Sequence, residues 1–245
     1  MEASCRKAVE LGLPSIAFTE HADFVQAFEG QHPVDMDGYL EAVERCRATF
    51  PDLRILSGVE LGEPHWFPQR ASAILSAGKL DRVLGSVHCL PIDGRPSDMS
   101  QGVLTPEQAP ALMRAYLLET LALVESGQPF EVLAHLDYPK RYWPHAELAF
   151  REHDYEEEYR TVLRAAARRG TALEVNTTRG LEHLRGLCPG PLVLGWWREE
   201  GGRAVSFGSD AHDPSKVAAG FEAAAKVVEA AGFKPAQEPT DFWRR

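Results

Sequence analysis

Six short apolar runs, each separated from the next by a segment whose apolar residues recur at helical spacing, constrain this chain more than any other feature. The pattern predicts strands over residues 15–18, 53–59, 82–87, 131–134, 172–175 and 204–207. It predicts helices over about 3–11, 37–50, 68–77, 105–126, 154–169, 191–200 and 213–231. Gly12 and Gly170 stand where a helix should stop, and Thr105-Pro106-Glu107-Gln108 has the N-cap, first-turn proline and capping glutamine of a helix start. A helix between successive strands returns the chain to the same end of the sheet, so this alternation implies parallel strands with crossovers. Two α/β architectures satisfy it, a (β/α) barrel and an open doubly wound sheet. Neither G-x-G-x-x-G nor G-x-x-x-x-G-K-[ST] occurs, which removes the usual nucleotide-binding forms of the open sheet.

The chain has 245 residues, within the size of one α/β barrel domain, and residues 1–245 are expected to form a single domain. A formal net charge of −10 disfavours non-specific nucleic-acid binding, while metals and local arginines can still override that field for a small phosphorylated substrate. Cys5, Cys46, Cys89 and Cys188 form no C-x-x-C pair, so zinc-ribbon and thioredoxin-like readings fail and a reduced, cytoplasmic setting is expected. No run of 18 apolar residues occurs and Met1 to Glu10 lacks an apolar core segment, so no membrane span or signal peptide is expected. Nothing in the sequence speaks to oligomeric state.

The chemistry sits where the predicted strands end. The first runs into Thr19-Glu20-His21, the second ends on Glu60, the third on His88 and the fourth on His135, with Asp137 just beyond. The fifth ends on Asn176 and the sixth on Asp210-Ala211-His212. In a parallel barrel all strand C-termini share one rim, so these distant residues converge there. Any one histidine at a strand end is more often a hydrogen-bonded structural residue. Six strands all ending in His, Glu, Asp or Asn point instead to a polynuclear metal site. Imidazole with carboxylate suits zinc, manganese or ferrous iron, and no cysteine at these ends favours a softer thiolate site.

Taken in order, Phe18-Thr19-Glu20-His21, Gly58-Val59-Glu60, Gly85-Ser86-Val87-His88, Ala134-His135-Leu136-Asp137, Glu174-Val175-Asn176-Thr177 and Gly208-Ser209-Asp210-Ala211-His212 resemble the motifs of the PHP (polymerase and histidinol phosphatase) family. The resemblance runs from Ala3 to about Gly232. The Asn176-Thr177-Thr178-Arg179 segment and the length are most similar to the histidinol phosphatases within it. The resemblance implies a distorted (β/α)7 TIM-like barrel carrying up to three divalent metals at its rim. By motif, Glu60 would bridge two metals, Asp210 would complete the first, His88 and His135 would hold the second, and His21 and His212 the third. It implies a metal-activated water as nucleophile, with no protein nucleophile. The expected activity is phosphomonoester hydrolysis, foremost of L-histidinol phosphate in histidine biosynthesis. Hydrolysis of another phosphomonoester or a nucleotide, or a degenerate module that binds metal without catalysis, are the alternatives.

The family also opens with Asp-x-His-x-His on a first strand, and nothing ahead of Ala3 matches it. The chain is therefore expected to lack that strand and to hold fewer than three metals. The strands at 15–18 and 204–207 are expected to face a gap. A start set too far downstream, a truncation or a degenerate protein would each account for it.

Substrate-binding candidates are Arg179, which follows Asn176 closely, then Lys140 and Arg141 beyond His135, and His65 after Glu60. Arginine clamps phosphate bidentately, whereas each of these residues has a structural role as its rival reading. His32, His145, His153 and His183 are assigned no function, and Asp23, Asp93 and Asp98 are read as loop or cap residues.

Overall fold

A computed structural model describes residues 1–25, 33–179 and 186–245. Helix α1 (Glu2–Glu10) buries Cys5 and Ala8 on one face, and Gly12 closes it at φ +68°, a left-handed conformation that glycine adopts without strain. Strand β1 (Ser15–Asp23) follows, then α2 (Met36–Thr49), whose Asp35 N-cap accepts the Gly38 N–H at 3.1 Å. The chain continues through β2 (Arg54–Gly62), α3 (Pro68–Ser76), β3 (Arg82–Ser86) and the hairpin β4 (Cys89–Ile92) and β5 (Arg95–Asp98). Next come α4 (Ala109–Glu125), β6 (Val132–Leu133), α5 (Glu156–Arg169) and β7 (Ala172–Asn176). The last elements are α6 (Pro191–Glu199), β8 (Ala204–Gly208), α7 (Phe221–Ala230) and β9 (Trp243–Arg244).

Among the described residues the main sheet has the order β1-β2-β3-β6-β7-β8-β9, parallel throughout except for β9. It curls into a half-barrel with helices outside, the α/β architecture that the alternation predicts. The largest cluster of buried side chains lies under α4 to α7 and includes Tyr116, Tyr159, Leu163 and Trp197. A second joins α1 and α2 to β2 through Cys5, Ala8, Tyr39, Val43, Cys46 and Ile55. Tyr39 also stitches β1 to β2, donating to the Phe18 carbonyl at 2.9 Å and accepting the Gly58 N–H at 2.7 Å.

Several boundaries differ from the sequence pattern. Strand β1 extends to Asp23 and β2 to Gly62, because the two pair continuously from Ser15↔Arg54 to Asp23↔Gly62, so His21 and Glu60 lie within strands as register partners. Helix α4 starts at Ala109. Residues Pro106 to Gln108 form a turn, in which Thr105 Oγ1 accepts the Gln108 N–H at a long 3.4 Å. The predicted final helix breaks into a 3₁₀ turn (Pro214–Lys216) and α7. Ala218 (φ +54°) and Gly220 (φ +79°) interrupt it, and the Thr177 hydroxyl donates to the Ala219 carbonyl at 2.6 Å.

The expected gap beside the last parallel strand is also corrected. β9 lies antiparallel on β8, pairing Ala204 with Arg244 and Val205 with Trp243. On its way there the C-terminal segment crosses the N-terminal ends of the strands. Ser15 donates to the Pro239 carbonyl, Arg54 pairs with Glu238, and Arg82 donates to the Thr240 carbonyl. Phe242 packs against the buried cluster that Leu84, Val132, Ala134, Ala172 and Ala204 form. β1, by contrast, has β2 as its one neighbour among the described residues.

Candidate metal centre

Strand C-termini bring His21, Glu60, His88, His135, Asp210 and His212 to one rim. The parallel register places His21 beside Glu60. His88 follows β3 and His135 follows β6, each at the end of a buried strand. The Nε2 atoms of His88 and His135 lie 3.1 and 2.8 Å from one oxygen of Glu60 and 3.3 Å from each other. His21 Nε2 lies 3.8 Å from the other Glu60 oxygen. On the far side, His212 Nδ1 is 3.4 Å from Asp210 Oδ1, and its ring centroid is 5.5 Å from that of His21. Ligand atoms of His21, Glu60 and His88, and of His21, Asp210 and His212, come within 4.8 Å of one another in each group.

The electrostatics of the cluster follow from burying carboxylates among imidazoles. The Glu60 carboxylate, helped by Asp23, holds His21 up to about 9 against the desolvation that opposes it. For His88 burial works against the proton, but hydrogen bonds and charge from Asp23 and Glu60 outweigh it and push the ring well above its usual value. Burial would raise Glu60, yet His21 and His135 hold it well below the usual carboxylate range. His135 moves the other way, because burial outweighs the pull of Glu60. The residues therefore form a cation-demanding pocket. Two imidazole nitrogens 3.3 Å apart over a shared carboxylate oxygen can satisfy only some of their capacity with protons, and the donor set fits a divalent cation that releases those protons on binding.

Asp23, which reads in the sequence as a loop or cap residue, belongs to this site. Its Oδ2 is 3.2 Å from His21 Nδ1 and its Oδ1 3.3 Å from His88 Nδ1. A carboxylate behind a ligating histidine fixes its tautomer and orientation. The signal available was the two-residue offset from His21, which puts both side chains on one face of β1 once the strand is known to reach Asp23. The sequence pattern gives no role to Glu174, which stands only inside a motif, or to Glu63. Glu63, at φ +46°, accepts the N–H groups of His88 and Cys89 and so shapes the turn that carries His88. Burial first, then the nearby Glu60 charge, holds the Glu174 carboxyl up to about 7. Asp98 does cap a turn, accepting the Ser100 N–H at 2.7 Å, and Asp93 occupies the β4–β5 turn.

Of the substrate candidates, Arg141 lies against the cluster. Its Nη1 donates to Asp210 Oδ2 at 2.9 Å, its side chain is 5% exposed, and its Nε and Nη2 are buried with no hydrogen-bond partner among the described residues. Its guanidinium sits 5.2 Å over the Tyr138 ring, which itself lies 5.1 Å from His88 and 5.0 Å from His135. Arg179 stands 5.7 Å over the Tyr142 ring. The structure aims Lys140 elsewhere, with its ammonium on Glu152 at 3.0 Å and the Leu187 carbonyl at 3.1 Å. His65 bonds Glu119 at 2.6 Å, and Trp66 donates to the same oxygen. His145 faces the Lys140 carbonyl and His153 pairs with Glu156 at the surface, while His32 and His183 lie outside the described residues.

A parallel α/β half-barrel with a histidine–carboxylate rim is the arrangement of a metal-centre protein. The PHP domain family model matches residues 1–178, and the chain belongs to that family. A histidinol-phosphatase of Lactococcus lactis subsp. lactis (strain IL1403) is 28% identical over 229 residues, spanning 93% of this chain and 83% of that protein. The crystal structure of histidinol phosphate phosphatase from the same organism, complexed with zinc, L-histidinol and phosphate, superposes with a TM-score of 0.74 at 25% identity. That superposition covers 94% of this chain and 86% of the other. A solved structure from Listeria monocytogenes has a TM-score of 0.73 at 19% identity, covering 91% and 92%, and shares the fold. Among the described residues no helix is long and apolar enough to cross a membrane.

Proposed function

We propose that this chain is a divalent-metal-dependent phosphomonoesterase that converts L-histidinol phosphate and water to L-histidinol and phosphate. The observation that carries it is the convergence of the His88 and His135 Nε2 atoms on one Glu60 oxygen. Support comes from the histidinol-phosphatase relatives that share most of its length.

Glu60, His88 and His135 would hold one cation, and His21, Asp210 and His212 a second. Zinc, manganese and ferrous iron all suit this nitrogen and oxygen set. A bound divalent cation lowers the pKa of water toward neutrality and neutralises phosphoryl charge. The chain's own residues supply the rest. Asp23, set against Nδ1 of His21 and His88, would keep a proton on that nitrogen and leave each Nε2 free for a cation once its own proton is released. Arg141, tied to Asp210 by Nη1, has two further nitrogens, Nε and Nη2, that would donate to a phosphoryl oxyanion and so satisfy donors with no other partner among the described residues. Arg179 is the second candidate for the phosphate. Lys140 and His65 hold loops through their own partners.

The test is phosphate release from L-histidinol phosphate and a panel of other phosphomonoesters and nucleotides, with added Zn²⁺ or Mn²⁺. Metal-stimulated turnover with preference for L-histidinol phosphate is expected. Preference for another ester would redirect the substrate, and no turnover of any ester by metal-loaded protein would leave a binding module.

A further inference from the structure

Strand β7 lies between β6 and β8, so a side chain on it can reach the ends of both neighbours. We propose that Glu174, on this strand, is a positioning residue that holds the two candidate ligands flanking it, His135 by its backbone N–H and Asp210 by its carboxylate. The inference rests on the reading of the rim cluster as a divalent-cation site.

Glu174 is 5% exposed. Its Oε2 accepts the backbone N–H of His135 at 2.8 Å and Nδ2 of Asn176 at 3.3 Å. The same Asn176 nitrogen lies 3.4 Å from Asp210 Oδ2. The Thr178 hydroxyl completes the connection, 2.7 Å from Asn176 Oδ1 and 3.1 Å from Asp210 Oδ2. One buried oxygen thus reaches His135 directly and Asp210 through one amide.

Both residues it reaches are backbone outliers. His135 has φ +20° and Asp210 φ +49°. Positive φ is uncommon outside glycine, and contacts that hold the residue there set where its side chain points. Here the conformations aim an imidazole and a carboxylate into the rim. The opposite strand makes room for the device. A Cβ at position 208 would overlap the Glu174 carboxylate, so Gly208 is what allows it to lie across β8. The requirement is a hydrogen-bond acceptor at this point, which a glutamine carbonyl oxygen also supplies.

The experiment titrates the full chain with Zn²⁺ against a chromophoric chelator, with melting curves of the metal-free proteins alongside. Glu174→Ala, and Gly208→Ala, which displaces the carboxylate without touching a ligand, are expected to weaken zinc binding about 10- to 100-fold, the usual effect of losing a ligand's support. Glu174→Gln is expected to stay near wild type. Wild-type zinc affinity in Glu174→Ala, even with a lowered melting temperature, would overturn the inference, as would Glu174→Gln falling as far as Glu174→Ala. If Glu174→Ala does not fold, Gly208→Ala decides, and wild-type affinity there overturns it. A wild-type chain that binds no zinc would sink the cation reading itself and the inference with it.

Discussion

Asp23 Oδ1 lies 3.3 Å from Nδ1 of His88, on the side of the ring facing away from Glu60. The other Asp23 oxygen does the same for His21 at 3.2 Å. One carboxylate on β1 therefore orients two imidazoles that reach the rim from different strands. Replacing Asp23 by Ala should weaken zinc binding by about 10- to 100-fold while leaving the far-UV circular dichroism unchanged, since support of this kind tunes ligands rather than the fold. Metal content after dialysis against a graded chelator series reads the effect, and undiminished zinc in the variant would remove Asp23 from the site.

Burial separates the ligand candidates. The His88 side chain is 8% exposed and that of His212 is 73% exposed. His88→Ala should abolish the locus shared with Glu60 and His135 and lower metal-stimulated phosphatase activity by on the order of 10³-fold, the equivalent of several kcal/mol of lost transition-state stabilisation. His212→Ala should remove metal only from the outer group. Stoichiometry by elemental analysis distinguishes the two, and equal metal in His88→Ala and wild type would count against the assignment.

At the opposite end of the sheet, Asp81 accepts the Ser57 N–H at 3.0 Å, the Ser57 hydroxyl at 3.1 Å and Arg47 Nη2 at 2.7 Å. Burial opposes its charge, but the Ser57 hydrogen bonds and Arg47 outweigh that and hold the carboxyl below its usual value. A folded-state pKa below the unfolded one stabilises the fold above the unfolded value, and that stabilisation is lost as pH falls through the folded value. Asp81→Asn should thus cost about 1 kcal/mol at pH 7, with allowance for its partial exposure. The gap should close as wild type is acidified below about pH 4. Urea melts at a series of pH values test this, and a pH-independent difference would rule out the charge as its origin.

Phe242 packs against a cluster made of Leu84, Val132 and the small residues Ala134, Ala172 and Ala204, with the Arg82 guanidinium 4.8 Å from its ring centroid. Phe242→Ala should destabilise the fold by about 2 kcal/mol, less than a fully buried phenylalanine because the ring is only partly covered. A denaturant midpoint equal to wild type would show that the C-terminal segment adds nothing to this end of the barrel.

Period and order were legible in the chain itself. The alternation of apolar runs with helical segments sets parallel strands. Because every parallel strand then ends at the same rim, His21, Glu60, His88, His135 and Asp210 could be gathered from local sequence alone. What the tertiary structure decided is how those residues are held. The lateral register pairs His21 with Glu60 and extends β1 far enough to bring Asp23 behind two rings. The absence of a side chain at Gly208 lets Glu174 lie across β8, and Arg141 rather than Lys140 turns onto Asp210. β9 takes the place beside β8 from a segment with no strand pattern of its own. The physical reason is range. Strand and helix periodicity, and a strand's terminal residue, are properties of a few neighbouring positions, whereas hydrogen-bond partners depend on register between segments far apart in sequence and on the side-chain volume each leaves for the other.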